Sequence, residues 1–263
     1  MTETGPVWAL GAMSGTSLDG VDAAMVLTDG RTISAFGEAG YRTYSDAEQA
    51  TIRAAFGATR DPARDEAAAE VVETAHAAVL SRIAGADLVG FHGQTLWHDP
   101  DNGVTLQAGD GSILAEVLGL PVVWDFRTMD VMMGGQGAPL APLLHRVLFH
   151  SDKENRAILN LGGIANLTIL PATGGIAGYD CGPGNCLLDG WIKRQMQKDY
   201  DDDGRWAAKG EVDTGLLSRM LADPYFRLPP PKSTGLEYFN LSWLDKKLGQ
   251  TPATAINVQT TLT

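Results

Sequence analysis

The sequence predicts an α/β protein in two lobes. Three observations carry that prediction. Apolar strand-like runs alternate with helical patterns, the chain opens as a meander of strands, and one strand–glycine turn–strand unit occurs once in each half. The expected organisation is an amino-terminal lobe over residues 1–150 and a second lobe over 151–263.

The elements follow in order. Val7-Trp8-Ala9-Leu10 is a short apolar run ending at Gly11, as a buried strand would read. After a turn-rich stretch over 12–20, Val21, Ala23, Met25 and Leu27 alternate with other residues, the period of a second strand. Asp29-Gly30 signals a hairpin into a third strand around 32–36. Asp61 followed by Pro62 reads as a helix start; Ala68, Val71, Val72, Ala75 and Val79 then recur at helical spacing, with Gly85 as the stop. Strands are expected at 87–91 and 121–126, with a helical piece at 113–118 between them. A further helix is expected over 139–149.

In the second half an apolar strand at 157–161 leads into a small-residue turn over 162–166 and a returning strand at 167–170. Another strand, 176–179, ends at Asp180. Leu187, Leu188, Trp191 and Ile192 then share one helical face. Segments 201–204 and 228–231 read as loops and 241–248 as a helix.

Composition narrows the function. The chain has 263 residues, 44% hydrophobic and 20% charged, ordinary values for a soluble globular protein. A formal net charge of −12 argues against nucleic acid as partner, because phosphate backbones are held by clustered Lys and Arg. No apolar run approaches bilayer length, and Met1-Thr-Glu-Thr-Gly-Pro lacks the basic cluster and apolar stretch of a secretory signal. The expectation is a cytoplasmic protein without a membrane partner. Cys181 and Cys186 read as packing thiols in a reducing compartment. His98, His145 and His150 lack the carboxylate or cysteine companions of a transition-metal site, and His76 is expected on a helix surface.

The two glycine turns are the most informative feature. Leu10-Gly-Ala-Met-Ser-Gly-Thr-Ser-Leu-Asp-Gly-Val-Asp22 and Asn160-Leu-Gly-Gly-Ile-Ala-Asn-Leu-Thr168 each join strand to strand. Small residues let backbone N–H groups approach a phosphate closely, and Ser14, Thr16, Ser17 and Asn166 add side-chain donors. Asp19 and Asp22 are candidate Mg²⁺ holders, through water. A Walker loop or a Rossmann fingerprint runs from strand into helix, so neither applies. Two such hairpins imply related lobes that pinch a nucleotide between them.

Asp180 follows a strand and precedes a helix, the position from which a carboxylate meets a ligand in α/β folds. It is either the general base or merely the cap of the next helix. His92 and Gln94 lie just past one strand, and Asp125 and Arg127 past another. Such polar groups suit a hydroxyl-rich ligand.

The strings Met13-Ser-Gly-Thr-Ser-Leu-Asp-Gly-Val-Asp22, Phe91-His-Gly-Gln-Thr95, Asp125-Phe-Arg127, Gly134-Gly-Gln-Gly-Ala-Pro139, Asn160-Leu-Gly-Gly-Ile-Ala-Asn166 and Asp180-Cys-Gly-Pro-Gly-Asn185 together resemble the anhydro-N-acetylmuramic acid kinase family. The resemblance implies the two-lobed actin/hexokinase-like (ribonuclease H-like) fold with mixed sheets, ATP with Mg²⁺, a role in recycling cell-wall sugars, and a homodimer. It implies that Asp180 deprotonates the water that opens the 1,6-anhydro ring while O6 takes the γ-phosphate. It places phosphates on Gly15, Thr16, Ser17, Leu18, Asp19, Gly20, Val21 and Asp22, with Gly162, Gly163 and Asn166 closing from the other lobe. His92, Gln94 and Arg127 would contact the sugar or its lactyl carboxylate. It also implies about a hundred further residues, a small subdomain's worth, carrying the adenosine loop. Another sugar kinase or a polyphosphate phosphatase of the same fold, or a non-catalytic nucleotide-binding relative, are the competing readings.

Overall fold

Alternation along the first two strands sets up the first layer. β1 (Val7–Ser14) turns Leu10, Ala12 and Ser14 inward, and β2 (Gly20–Thr28) turns Val21, Ala23 and Met25 inward, as the two-residue period of a strand requires. The structure, a computed structural model, describes residues 5–249 and 253–263; the reading of the first four residues lies outside the described residues. It divides into two units, Met1–Gly137 and Ala138–Thr263.

In the first unit β3 (Ile33–Thr43) continues the meander, followed by α1 (Asp46–Ala54), α2 (Pro62–Leu80), β4 (Leu88–Phe91), the hairpin β5 (Gln94–Asp99) and β6 (Val104–Ala108), α3 (Gly111–Leu118), β7 (Val122–Trp124) and α4 (Thr128–Met132). The main sheet has the order β3-β2-β1-β4-β7, antiparallel across β3, β2 and β1 and parallel from β1 to β7. The sheet is therefore mixed, as the sequence reading expects.

α2 begins where its sequence dictates. Asp61 accepts from the Ala63 amide and Pro62 fills the first position, where no N–H is needed. Its inner face, Ala68, Val72, Ala75 and Val79, packs on the sheet with Leu10, Val21 and Phe91. Each fully buried large aliphatic side chain there contributes roughly 1.5–3 kcal/mol. His76 is on this face too, fully buried rather than on the helix surface. It follows Val72 by four residues, so the helical period carries it inward. Its Nδ1 donates to the Val72 carbonyl at 2.7 Å and its ring meets Phe91 edge-on.

The second unit comprises α5 (Ala141–Phe149), β8 (Arg156–Leu161), β9 (Ile164–Leu170), β10 (Ala177–Pro183), α6 (Asn185–Met196), α7 (Thr214–Leu221), α8 (Leu241–Leu248) and α9 (Ala255–Leu262). Its sheet is antiparallel, in the order β10-β9-β8. Leu187 and Trp191 of α6 pack with Leu216, Met220, Phe239, Trp243, Leu244 and Val258.

Several expectations shift. The units divide at Gly137/Ala138 where the sequence places the division at 150/151, because α5 belongs to the second sheet: His145 Nδ1 is 2.9 Å from Thr168 Oγ1 and Pro142 sits against Gly178. β9 already starts at Ile164, so the turn before it is only Gly162-Gly163. β10 does not end at Asp180 but runs through it to Pro183, with a bulge between Asp180 and Gly182. Glycine is required there, since a Cβ at Gly182 would sit 2.6 Å from the Phe226 ring. Among the described residues no helix is long and apolar enough to cross a membrane.

Candidate functional site

The first glycine turn is built on one buried residue. Between β1 and β2 the Leu18 amide donates to the Gly15 carbonyl at 3.1 Å, and Leu18 adopts φ +59 with its side chain fully buried. A leucine accepts that left-handed backbone because its burial outweighs a strain of about 1–2 kcal/mol. Asp19 closes the turn: its Oδ1 accepts from Ser17 Oγ at 2.7 Å and from the Gly20 amide at 3.1 Å, and its carbonyl accepts from the Tyr44 amide. Leu18 and Val21 spend their side chains on the core, so toward a ligand they offer only main chain. Thr16 is half-buried and Ser17 exposed.

Asp22 lies opposite Met13 on the same hairpin. Its carboxyl is raised, first by partial burial and then by the charge of Asp19. A divalent cation would relieve that repulsion, so the pair fits a water-bridged Mg²⁺. Among the described residues no group of three or more His, Cys, Asp and Glu is arranged to hold a metal by itself.

The Phe91-His-Gly-Gln-Thr95 string crosses from β4 into β5. Gln94, expected at the sugar, is completely buried, and its Oε1 accepts from Ser14 Oγ at 2.5 Å. It therefore braces the strand that leads into the glycine turn. His92 is half-buried: Nδ1 donates to the Gly93 carbonyl at 2.7 Å, and Nε2 accepts from Arg127 Nε at 3.2 Å and Nη2 at 2.8 Å. Burial, then the Arg127 charge, push the His92 pKa down to about 4, so the ring is neutral at pH 7. Arg127 Nη1 also donates to the Gly137 carbonyl at 2.5 Å, and the Gly137 amide donates to Asp130 Oδ2 at 2.7 Å. The structure thus brings His92 and Arg127 together and leaves Asp125 exposed at φ +56.

In the second unit the turn Gly162-Gly163 serves the next helix. The Gly162 carbonyl accepts from the Asn185 amide and that of Gly163 from the Gly184 and Cys186 amides, at 2.9–3.3 Å. Gly184, the N-cap of α6, makes no side-chain cap and has no room for one, since a Cβ there would collide with the Gly162 carbonyl. The α6 start is therefore satisfied by main chain, and Asp180 is not its cap.

Asp180 is instead held by the segment around Thr234 and by Tyr225. It is buried, 6% exposed, and its Oδ2 accepts from the Thr234 amide at 3.0 Å. Its own amide donates to the Lys232 carbonyl, and its carbonyl accepts from the Tyr225 hydroxyl at 2.8 Å. Burial, then the charge of Asp180, raise the Tyr225 pKa, which keeps that hydroxyl a donor. Tyr225 is fixed in turn by Asp223, which accepts from the Tyr225 amide, Tyr238 hydroxyl, Trp243 indole and Lys247 ammonium. Burial alone would raise Asp223; the bonds from Lys247, Trp243 and Tyr238 bring it down to about 2. Asn166 stands directly across the β9–β10 ladder from Asp180, and Asn160 directly across β8–β9 from Asn166. The buried Oδ1 of Asn166 has no partner among the described residues.

Sequence reasoning missed the segment around Lys232 to Thr234 and missed Tyr225. The proline run at 229–231 reads only as a loop, and nothing local says which carboxylate a loop amide will reach. Cys181 and Cys186 are free thiols; burial, then the Asp180 charge, raise Cys181, and burial pushes Cys186 up to about 12, so neither is a nucleophile at neutral pH.

Comparison with known proteins gives the following. A model of the family described as anhydro-N-acetylmuramic acid kinase matches residues 7–263. A Cereibacter sphaeroides protein of that name is 50% identical over 248 residues, covering 91% of this chain and 67% of the relative. Namesakes from Ruegeria sp. and Vibrio cholerae are 49% and 41% identical, with 64% and 71% of their lengths covered. The chain thus spans about two thirds of the length of the curated relatives it matches. Among solved structures, ethanolamine utilization protein EutJ from Carboxydothermus hydrogenoformans gives a TM-score of 0.37 at 10% identity, over 99% of this chain and 91% of that one. The Aquifex aeolicus PPX-GPPA enzyme gives 0.38 at 9%, over 98% and 90%. Similarity at that level adds nothing to the topology described above.

Proposed function

The chain belongs to the anhydro-N-acetylmuramic acid kinase family, and from that premise we propose that it opens the 1,6-anhydro ring of anhydro-N-acetylmuramic acid and phosphorylates O6 at the expense of ATP. The observation that carries this reading is the state of Asp180. It is a buried, oriented carboxylate whose usual structural task, capping α6, is performed by the Gly162 and Gly163 carbonyls.

In the proposed reaction Asp180 takes a proton from water as that water attacks C1. The C1–O6 bond breaks, and the released O6 attacks the γ-phosphorus with ADP leaving. The products are N-acetylmuramic acid 6-phosphate, ADP and a proton. The protein's share is orientation and charge neutralisation. Main-chain amides of the 15–22 loop are the phosphate donors of the first unit, and those of Gly162 and Gly163 the candidates of the second. Asp19 and Asp22 would hold Mg²⁺ through water, and the ion would supply positive charge against the phosphates. Arg127 takes the lactyl carboxylate, which its forked donors match.

Need for ATP together with free thiols supports a cytoplasmic setting, and the family resemblance supports a homodimer. The test is direct: the protein is incubated with ATP, Mg²⁺ and the anhydro sugar, and the products are read by mass spectrometry. A sugar gaining both one water and one phosphate supports the proposal; a sugar that gains phosphate with the ring intact, or nothing, overturns it.

A further inference from the structure

The geometry points to His92 as a positioning residue that orients Arg127 toward the substrate carboxylate without touching the substrate itself. The inference rests on the reading of Arg127 given above.

Both ring nitrogens of His92 are committed to protein. Nδ1 is 2.7 Å from the Gly93 carbonyl, which can only accept, so Nδ1 carries the proton. Nε2 is approached by two Arg127 nitrogens, at 3.2 and 2.8 Å, and arginine can only donate, so Nε2 is the bare lone pair. One neutral tautomer satisfies both sides, and neither nitrogen is left to address a sugar hydroxyl. Burial and the arginine charge favour the same neutral ring.

What the imidazole does is fix one edge of the guanidinium. Arg127 Nε and Nη2 converge on Nε2, while Nη1 reaches the Gly137 carbonyl. That carbonyl is itself placed because the Gly137 amide is tied to Asp130. The plane of the fork is thus set by the imidazole and by the Gly137 carbonyl, and neither adds a charge of its own beside the guanidinium. The backbone adds to the precision. Gly93 adopts φ +71, and a Cβ there would sit 2.6 Å from the Ala108 carbonyl, so the carbonyl that selects the tautomer belongs to a residue with no latitude.

Two measurements test this. Nitrogen-15 spectra of the imidazole should show Nδ1 protonated and Nε2 bare, and His92→Phe should shift the Arg127 Nε–H resonance. In calorimetry, His92→Phe should weaken the anhydro-N-acetylmuramic acid complex by about tenfold or more. His92→Gln, whose amide oxygen falls near the Nε2 position, should restore most of that loss. ATP affinity should not change. The matching anhydro sugar without the lactyl group should bind wild type and His92→Phe equally. Equal weakening for both sugars would make His92 a direct or merely structural contact and overturn the proposal, as would unchanged binding of the acid. If the wild-type protein binds neither sugar, the kinase reading fails instead, and the spectra alone decide: an Nε2-protonated ring overturns the positioning role.

Discussion

Ser14 Oγ donates to Gln94 Oε1 at 2.5 Å, with both side chains buried, and so joins the strand entering the first glycine turn to the Phe91–Thr95 string eighty residues later in the chain. The bond ties a phosphate-binding candidate to the motif that carries His92. Removing either partner strands the other in a dry place, at a cost of about 1–3 kcal/mol, whereas removing both is milder. Ser14→Ala and Gln94→Leu should each lower the urea midpoint, and the double variant should lose less than the sum of the two. A strictly additive cycle would show that the pair does not act as one.

Asp180→Asn keeps the shape of the side chain and an oxygen for the Thr234 amide to reach. The fold and ATP binding should therefore survive, by circular dichroism and calorimetry. Turnover should fall by about 10²–10⁴, the usual contribution of a general base. A variant that still turns over moves the base elsewhere, with Asp19 and Asp125 the next candidates.

Position 18 should reverse the ordinary ranking of alanine over glycine. Leu18→Ala gives up the core contact, about 2–5 kcal/mol, while keeping the unfavourable φ of +59. Leu18→Gly gives up the same contact but relieves the backbone. Both variants should be less stable than wild type, with the glycine form above the alanine form by about 1 kcal/mol in urea. The opposite order would mean that the turn is not held in the left-handed region.

Acid should destabilise the first unit through His76. Burial pushes its folded pKa from 6.5 down to about 4, so between those values the unfolded chain holds a proton that the folded one lacks. Stability from this group is therefore complete above pH 6.5, falls as pH drops, and is fully lost below about pH 4, a total of roughly 3 kcal/mol. His76→Leu should flatten the acid limb, shrinking the difference in unfolding free energy between pH 7 and pH 5 by about 2 kcal/mol. An unaltered acid limb would place the titrating group elsewhere.

The sequence was legible where periodicity and punctuation agree. Asp61-Pro62 starts α2 as read, and the strand-to-strand setting of both glycine turns is visible in the alternation of Val21, Ala23 and Met25. It was less legible where local punctuation and the longer-range pattern disagree. Gly182 and Pro183 read as a break after Asp180, yet a bulge lets β10 absorb them. His76 reads as a helix-surface residue, although its spacing from Val72 and Leu80 puts it on the buried face. Helices α1, α7 and α9 are short, and the side-chain caps of Ser45, Asp213 and Thr254 mark their starts in the sequence. The partners of Asp180 and Arg127 were beyond reach for a different reason. A hydrogen bond between residues 35 or 54 positions apart leaves no trace in either neighbourhood.

The Gly162 and Gly163 carbonyls that receive the first amides of α6 have a mechanical consequence. Leu187 and Trp191 follow within the first two turns of that helix and belong to the same buried cluster as Phe239 and Trp243. The placement of the glycine turn is therefore coupled, through one helix start and one cluster, to Trp243, which holds Asp223 and through it Tyr225.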